Sequence, residues 1–563
     1  MLASAEGPKE GENFAMVDTG ANTGTDAAEA ATQKGILGWV ERTGNKLPDP
    51  VFLFFYLILA LVAVSVIAAL SGVSALHPTT LDEATNAPLK IEAVSLLSPD
   101  NIQRLWVEMP KTFTHFHPLG YVLVVMLGAG VAERSGFFAA GMASAVKSAP
   151  KALLTPVVAL VAMIGNHAAD AGYVVLIPLA GILFAAAGRH PLAGIAAAFA
   201  GVSGGFSANI SPGQLDALLF GITEEAVGAS ALDAAWTANI AGNWYFIAAM
   251  TFLYLPIIWL VTDKIIEPRL GAWTGGAQAG AEDGTSPDPT LQDSALAAKG
   301  LRHAGLAALF VVGLWMLMVF APGTPLINEA ACDGIPAADC SIHSELRPLY
   351  QSLVAAFFLL FLLAGWAYGR ATGVIKNHRD LVGMMSESMK DMGYYLVLAF
   401  AAAHFVAMFN WSNLGLISAV HGADAIESTG LPLPLVLGLM VLFSALLNLF
   451  VGSASAKWAL LAPILVPMLM LLGISPEGAT AAYRVGDSAT NIITPLMVYF
   501  PLILIFAQRW KKDFGLGSLT AMMLPYSIWL LISGTVLIVV WFYLGLPLGP
   551  DAPVGYSLPG ASG

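Results

Sequence analysis

Charge is what this chain has least of. Only 11% of its 563 residues are Asp, Glu, Lys or Arg, while 57% are hydrophobic. Soluble domains carry about a quarter charged residues, so the composition excludes a soluble protein and points to a chain that crosses a bilayer many times. The charge that exists is mostly acidic, 25 Lys and Arg against 38 Asp and Glu, for a formal net charge of -13. Nucleic-acid binding is excluded, because phosphate contacts need clustered cations. Cysteine is almost absent. Cys332 and Cys340 fall in one acidic loop, and either a disulfide in an oxidising compartment or two unpaired thiols fits that placement. No GxxxxGK[ST] loop is present, so ATP does not drive the protein by that route. The glycine-rich run Gly201–Phe206 lies inside an apolar region with no strand before it, and His115 and His117 lack the further ligands of a zinc site. With no nucleophile–base pair or metal constellation, the expectation is no enzymatic activity and no cofactor. The first thirty or so residues have no apolar run and lack the basic start and apolar core of a signal peptide, so they read as a disordered acidic tail.

What is abundant is apolar runs of about twenty residues, the length that spans a bilayer as a helix. They start near Val51, His117, Trp244, Ala304, Leu353, Tyr394, Leu433 and Thr520. Two regions are longer and interrupted. Leu153 to Phe220 contains Asn166, His167 and Asp170, and Leu433 to Gln508 contains Lys457, Arg484 and Asp487. Basic residues gather at Lys34 to Lys46, Arg134 to Lys151, Lys264 and Arg269, Arg370 to Arg379, and Arg509 to Lys512; the positive-inside rule places these in the cytoplasm, with the N-terminus. The loop Gly323 to Leu349 and the tail after Trp541 are then external. Threading the chain through these constraints makes each interrupted region a re-entrant hairpin, near 153–188 and 433–473, of opposite direction.

An offset of 285 residues supports the same arrangement. It aligns Pro178 with Pro463, Gly188 with Gly473, Pro191 with Pro476, Gly201 with Gly486 and Ser203 with Ser488. After a three-residue slip, the Asn209 segment ending at Pro212 faces the Asn491 segment ending at Pro495. The expected fold is all-α and polytopic: about nine transmembrane helices plus two opposed hairpins, built as an inverted repeat. Its divisions are a disordered cytoplasmic tail (1–34), a first half (35–270), a cytoplasmic linker (271–302), a second half (303–546) and an external tail (547–563). Inverted repeats of this kind mark secondary transporters, whose sites lie where broken helices meet.

Charges at bilayer depth cost on the order of 2.5 to 3.5 kcal/mol each on insertion scales, so they mark a substrate or ion path. The stretch Gly452 to Pro495 concentrates them, with small polar residues and helix breakers, and is the candidate substrate site. Asn448 offers an amide oxygen or a helix cap, Ser453 and Ser455 offer hydroxyls at the second hairpin tip, and Lys457 adds a charge. Trp458 is read either as a stacking surface or as an interfacial anchor. Arg484 and Asp487, three residues apart, either neutralise each other on one helix face or present a carboxylate clamp just before a break running from Gly486 to Pro495. For ion coupling the candidates are Asp170 with Asn166 at the first tip, and Asn448, Asn209 and Asn491. Asp170 would carry a proton, bind Na⁺ or cap a half-helix. Asn209 and Asn491 would form a pseudo-symmetric pair of Na⁺ sites, the one bound ion the sequence suggests.

The segments GSASAKWALLAPILVPMLMLLGISPE (452–477) and AAYRVGDSATNIITPLMVYFPLI (481–503) closely resemble the corresponding region of the p-aminobenzoyl-glutamate transporter (AbgT) family of bacterial inner-membrane proteins. The similarity extends from about Gly38 to the last span. The resemblance implies a homodimer in the inner membrane, nine spans and two hairpins per protomer, and a central basin open to the cytoplasm. It implies p-aminobenzoyl-glutamate uptake or sulfonamide antimetabolite export, driven by an H⁺ or Na⁺ gradient. The family's functional positions fall here on Asp170, Asn448, Ser455, Trp458, Pro476, Arg484, Asp487 and Pro495. Two other readings stand beside it: a Na⁺-coupled dicarboxylate carrier of the same architecture, and, from another class, a channel or passive receptor.

Overall fold

The structure is a computed structural model, and it describes residues 48–81, 85, 87–168, 172–233, 235–274, 294–320, 323, 325–328 and 345–559. Asp170, Cys332 and Cys340 lie outside the described residues. Among the described residues, eight helices are long and apolar enough to cross a membrane, or up to ten if each of two sharply bent helix pairs counts as one span. The first, Pro50–Leu70, shows why these segments are helices: it is apolar on all sides and Asp49 caps it through the Val51 N–H at 2.8 Å. Helix Ser294–Phe320 begins ten residues before the expected start at Ala304, inside the stretch assigned to the linker.

Both interrupted regions are helix, break and helix. In the first, Leu154–Ile164 runs into the 3-10 turn Gly165–Ala168, and the chain resumes through the π-helical turn Gly172–Leu176 into Ile177–Ala186. In the second, Leu433–Asn448 breaks at 449–453 and resumes as Ala454–Leu471. A further helix follows each hairpin, Pro191–Phe199 and Pro476–Asn491, and each begins with proline at its first position, where no backbone N–H is missed. The entering helices meet their predecessors at bends of 117° and 119°.

Two glycine pairs explain why the 285-residue register persists. Gly188 and Gly473 take φ of +79° and +85° at the end of each hairpin, the left-handed conformation that lets a helix stop and the chain reverse. Gly201 and Gly486 instead permit close approach. A Cβ on Gly201 would lie 2.5 Å from Ala162 Cβ, and one on Gly486 would lie 2.2 Å from the Val441 carbonyl. Each glycine thus seats the post-hairpin helix on the first arm of its own hairpin.

This corrects one expectation. The break expected to start at Gly486 starts only after Asn491, because helix Pro476–Asn491 is continuous and buried along its whole length. Gly486 is there for packing, not for unwinding. In the first half the break is longer: the chain is irregular from Gly205 to Gly213 before helix Gln214–Ser230.

Elements beyond the apolar runs close the two ends. The antiparallel strands Ser74–Leu81 and Pro88–Glu92 and the amphipathic helix Pro99–Thr114 follow the first span. The C-terminal segment folds back, bonding Ser475 N–H to the Val554 carbonyl at 3.1 Å and Asn239 Nδ2 to the Pro550 carbonyl at 2.6 Å. At the other end Arg189 binds Asp263 at 2.6 Å and also Glu267.

Candidate functional site

The second arm of the second hairpin, Ala454–Leu471, packs on helix Gln214–Ser230 of the first half. The two tips are thereby brought together, and a cavity of about 350 Å³ lies between them. Asn166, Tyr173, Phe206 and Gln214 wall it from the first half, and Gly452, Asn491, Met497 and Tyr499 from the second. Its lining is mainly apolar and aromatic with a few amides, the usual character of a small-molecule site.

Behind the second wall is a buried charged network. Lys457 donates through Nζ to Asp487 Oδ1 and to Asn448 Oδ1, and both charged side chains are only 2% exposed. Asn448 Nδ2 lies 2.8 Å from the Asp487 carbonyl and 2.8 Å from Asn491 Oδ1, so one amide ties the tip to the end of helix Pro476–Asn491. Thr494 Oγ1 donates back to the Asn448 carbonyl at 3.2 Å. Such a network persists in an apolar interior only because nearly every polar group in it has a partner.

Arg484 does not pair with Asp487. Three residues apart on one helix, they diverge: Asp487 faces Lys457 of the hairpin, while Arg484 Nη1 donates to Asp216 Oδ1 of the first half at 2.8 Å, the pair being 1% and 5% exposed. The i, i+3 spacing allowed their contact but did not require it, and each acid is held by a cation from another element. Asp216 is the residue that the sequence reading missed. Its signal was available: an acid in an apolar region four residues after Pro212, at the third position of a helix, where its carboxylate reaches back to accept from the N-cap Gly213 N–H at 2.8 Å. Arg484 Nε has no hydrogen-bond partner among the described residues, and Arg484 and Asp216 line a void of about 10 Å³ with Asn166, His167, Asn209 and Gln214. Asn166, Phe206, Gln214 and Leu215 line both this void and the main cavity, so they separate Arg484 from it.

The remaining candidates divide in the same way. Trp458 is fully buried, stacked on Tyr483 at 4.5 Å and bonded to Thr223 Oγ1 at 3.0 Å, so it offers no face to the cavity. Ser453 caps Ala454–Leu471 through the Ala456 N–H at 3.3 Å and faces Ser455 Oγ at 3.3 Å. Pro476 opens a 16-residue helix whose other end, Asn491, lines the cavity. At 1.5 Å per residue the two are roughly 22 Å apart, so Pro476 is remote from the cavity. Pro495 sits in the second break, between the lining residues Asn491 and Met497. Asn166 and Asn491 line the cavity; Asn209 lines only the small void. The Asn209 and Asn491 oxygens each accept a bond already, from Ile210 N–H at 2.9 Å and Asn448 Nδ2, and no group of three or more His, Cys, Asp or Glu is placed to hold a metal among the described residues.

A family model described as "AbgT putative transporter family" matches residues 35–556. The chain belongs to the AbgT family. It is 38% identical over 523 residues to the p-aminobenzoyl-glutamate transport protein of Escherichia coli (strain K12), covering 92% of this chain and 97% of that protein. Two solved structures share the fold. The YdaH transporter of Alcanivorax borkumensis superposes with a TM-score of 0.78 at 42% identity, over 89% of this chain and all of that one. MtrF of Neisseria gonorrhoeae, described as illuminating a class of antimetabolite efflux pumps, gives 0.80 at 42% identity, over 92% of this chain and all of that one. The resemblance read from residues 452–503 is therefore shown, and this AbgT-family chain is a multi-span membrane transporter.

Proposed function

We propose that this chain is an ion-gradient-coupled secondary transporter of aryl carboxylates of the p-aminobenzoyl-glutamate type or of sulfonamide antimetabolites. It works as a homodimer in a bacterial inner membrane, with its N-terminus in the cytoplasm. The observation that carries this is the pairing of Arg484 with Asp216 beside the cavity. One ion pair joins the second half to the first at the point where two opposed hairpins meet, so separating the halves requires a substitute partner for Arg484. A substrate carboxylate or sulfonyl group supplies one. Asp170, which lies outside the described residues, keeps its role in this proposal as a coupling group for H⁺ or Na⁺, and the Asn209 and Asn491 oxygens keep theirs for Na⁺.

The relatives support the substrate class by their names, and the cavity supports it by size and lining. The test is flux of radiolabelled p-aminobenzoyl-glutamate and of a sulfonamide in proteoliposomes, with pH and Na⁺ gradients imposed separately. The expected result is accumulation driven by one gradient and abolished when it is collapsed. Flux that follows only the substrate gradient would instead support the channel, and Na⁺-driven movement of aliphatic dicarboxylates alone would support the dicarboxylate carrier. Arg484→Ala is expected to weaken equilibrium binding roughly ten- to a hundredfold, the loss of one charge-assisted hydrogen bond. Full recovery in Arg484→Ala with Asp216→Ala would make the pair purely structural.

A further inference from the structure

Two tyrosines meet at the seam between the halves. The Tyr173 and Tyr499 rings lie nearly parallel, with centroids 4.2 Å apart and planes within 11°. Tyr173 belongs to the π-helical turn Gly172–Leu176 that follows the first break, and Tyr499 caps helix Phe500–Gln508 after the second. Each ring is thus presented by irregular backbone of a different half, and both line the main cavity. Tyr173 is 5% exposed, whereas Val498, the lining residue next to Tyr499, is 82% exposed. Tyr499 itself is half-buried, so the stack joins a buried part of the lining to a part nearer the surface.

Aromatic pairs favour offset or edge-to-face geometry at about 4.5 to 7 Å, because two electron-rich faces repel. A tyrosine face prefers a ring depleted by a carbonyl or sulfonyl substituent to another tyrosine. We propose that Tyr173 and Tyr499 form a specificity-determining aromatic gate, which an acyl- or sulfonyl-substituted aryl ring opens by replacing one tyrosine in the stack. The inference rests on the transport reading above and names what selects the aryl group, leaving Arg484 to the charged end.

The test is equilibrium binding to the purified, monodisperse full-length chain. Two ligands are compared, p-aminobenzoyl-glutamate and N-acetyl-glutamate, which share the dicarboxylate and differ in the ring; the ratio of their Kd values is the aryl preference. Tyr499→Leu and Tyr173→Leu are expected to reduce that preference by roughly two- to twelvefold, the range of one aromatic stacking interaction. The phenylalanine variants, which keep the ring, are expected to hold it within about twofold. An unchanged preference in both leucine variants would overturn the gate while leaving the transport reading standing. Loss of the preference in Tyr499→Phe would also overturn it, since the hydroxyl and not the ring would then be the determinant. A wild-type protein that binds neither ligand would remove the aryl-carboxylate reading on which the gate rests, and the gate with it.

Discussion

The two interrupted regions share a skeleton and fill it with different chemistry. In the first half, the described tip is held by amides and backbone: Asn166 Nδ2 donates to the Gly205 carbonyl at 3.3 Å, Asn209 Nδ2 to the Met163 carbonyl at 3.3 Å, and His167 meets Ser211 Oγ at 3.2 Å. In the second half the tip is held by a buried ion pair, Lys457 with Asp487, organised by Asn448. The breaks that follow are close in length, nine irregular residues from Gly205 to Gly213 in the first half and eight, 492–499, after Asn491 in the second. The lesson is that a repeat preserves backbone requirements, glycine where chains touch or reverse and proline where helices start, without preserving function. Among the described residues the buried ion pair at a tip belongs to the second copy, and the first supplies the counter-ion Asp216 to Arg484.

The largest expected effect tests that asymmetry directly. Lys457→Met or Asp487→Leu alone leaves a charge uncompensated in an apolar interior and should cost about 3 to 5 kcal/mol, seen as a large drop in the unfolding midpoint of the detergent-purified protein. The double variant should regain most of it. If each single change is tolerated as well as a polar change at the first tip, such as Asn166→Ala, the contrast between the tips fails.

A smaller effect compares the two glycine seats. Overpacking costs typically about 1 to 3 kcal/mol. Gly486→Ala should lie at the upper end, because its new Cβ meets a main-chain carbonyl at 2.2 Å, and Gly201→Ala lower, because its nearest neighbour at 2.5 Å is a side-chain methyl, although Ala159 O follows at 2.8 Å. Thermal midpoints of the two variants rank them, and the reverse order would mean that the first half is the more tightly seated.

The smallest concerns the seam. Ser488 Oγ accepts from Ser207 N–H at 3.0 Å and donates to the Arg484 carbonyl at 2.7 Å. Ser488→Ala should cost about 1 kcal/mol, whereas Ser203→Ala, at the repeat-related position whose hydroxyl faces the Met497 sulfur at 3.4 Å, should cost less. Equal losses by the same unfolding measurement would dissolve that distinction.

The architecture was legible in the sequence because each of its devices is local. Apolar length sets a span, Gly188 and Gly473 stop helices, Pro191 and Pro476 start them, and these act over a few residues wherever they occur. Lys457, Arg484 and Asp487 were legible as charges that need partners for a similar reason, since intramembrane charge is conspicuous in any apolar run. Their partners were not. Helix Pro476–Asn491 is buried on every side, so sequence spacing gives the relative angle of Arg484 and Asp487 but not what each one meets. That was decided by packing: Leu433–Asn448 and Ala454–Leu471 brought Asn448 and Lys457 to Asp487, and helix Gln214–Ser230 brought Asp216 to Arg484 across 268 residues. The same packing turned Trp458 inward onto Tyr483 and set Tyr173 against Tyr499 at the seam. The sequence determined which groups had to be compensated; the tertiary structure alone decided by which partner, because burial forbids an unpaired charge without naming the residue that answers it.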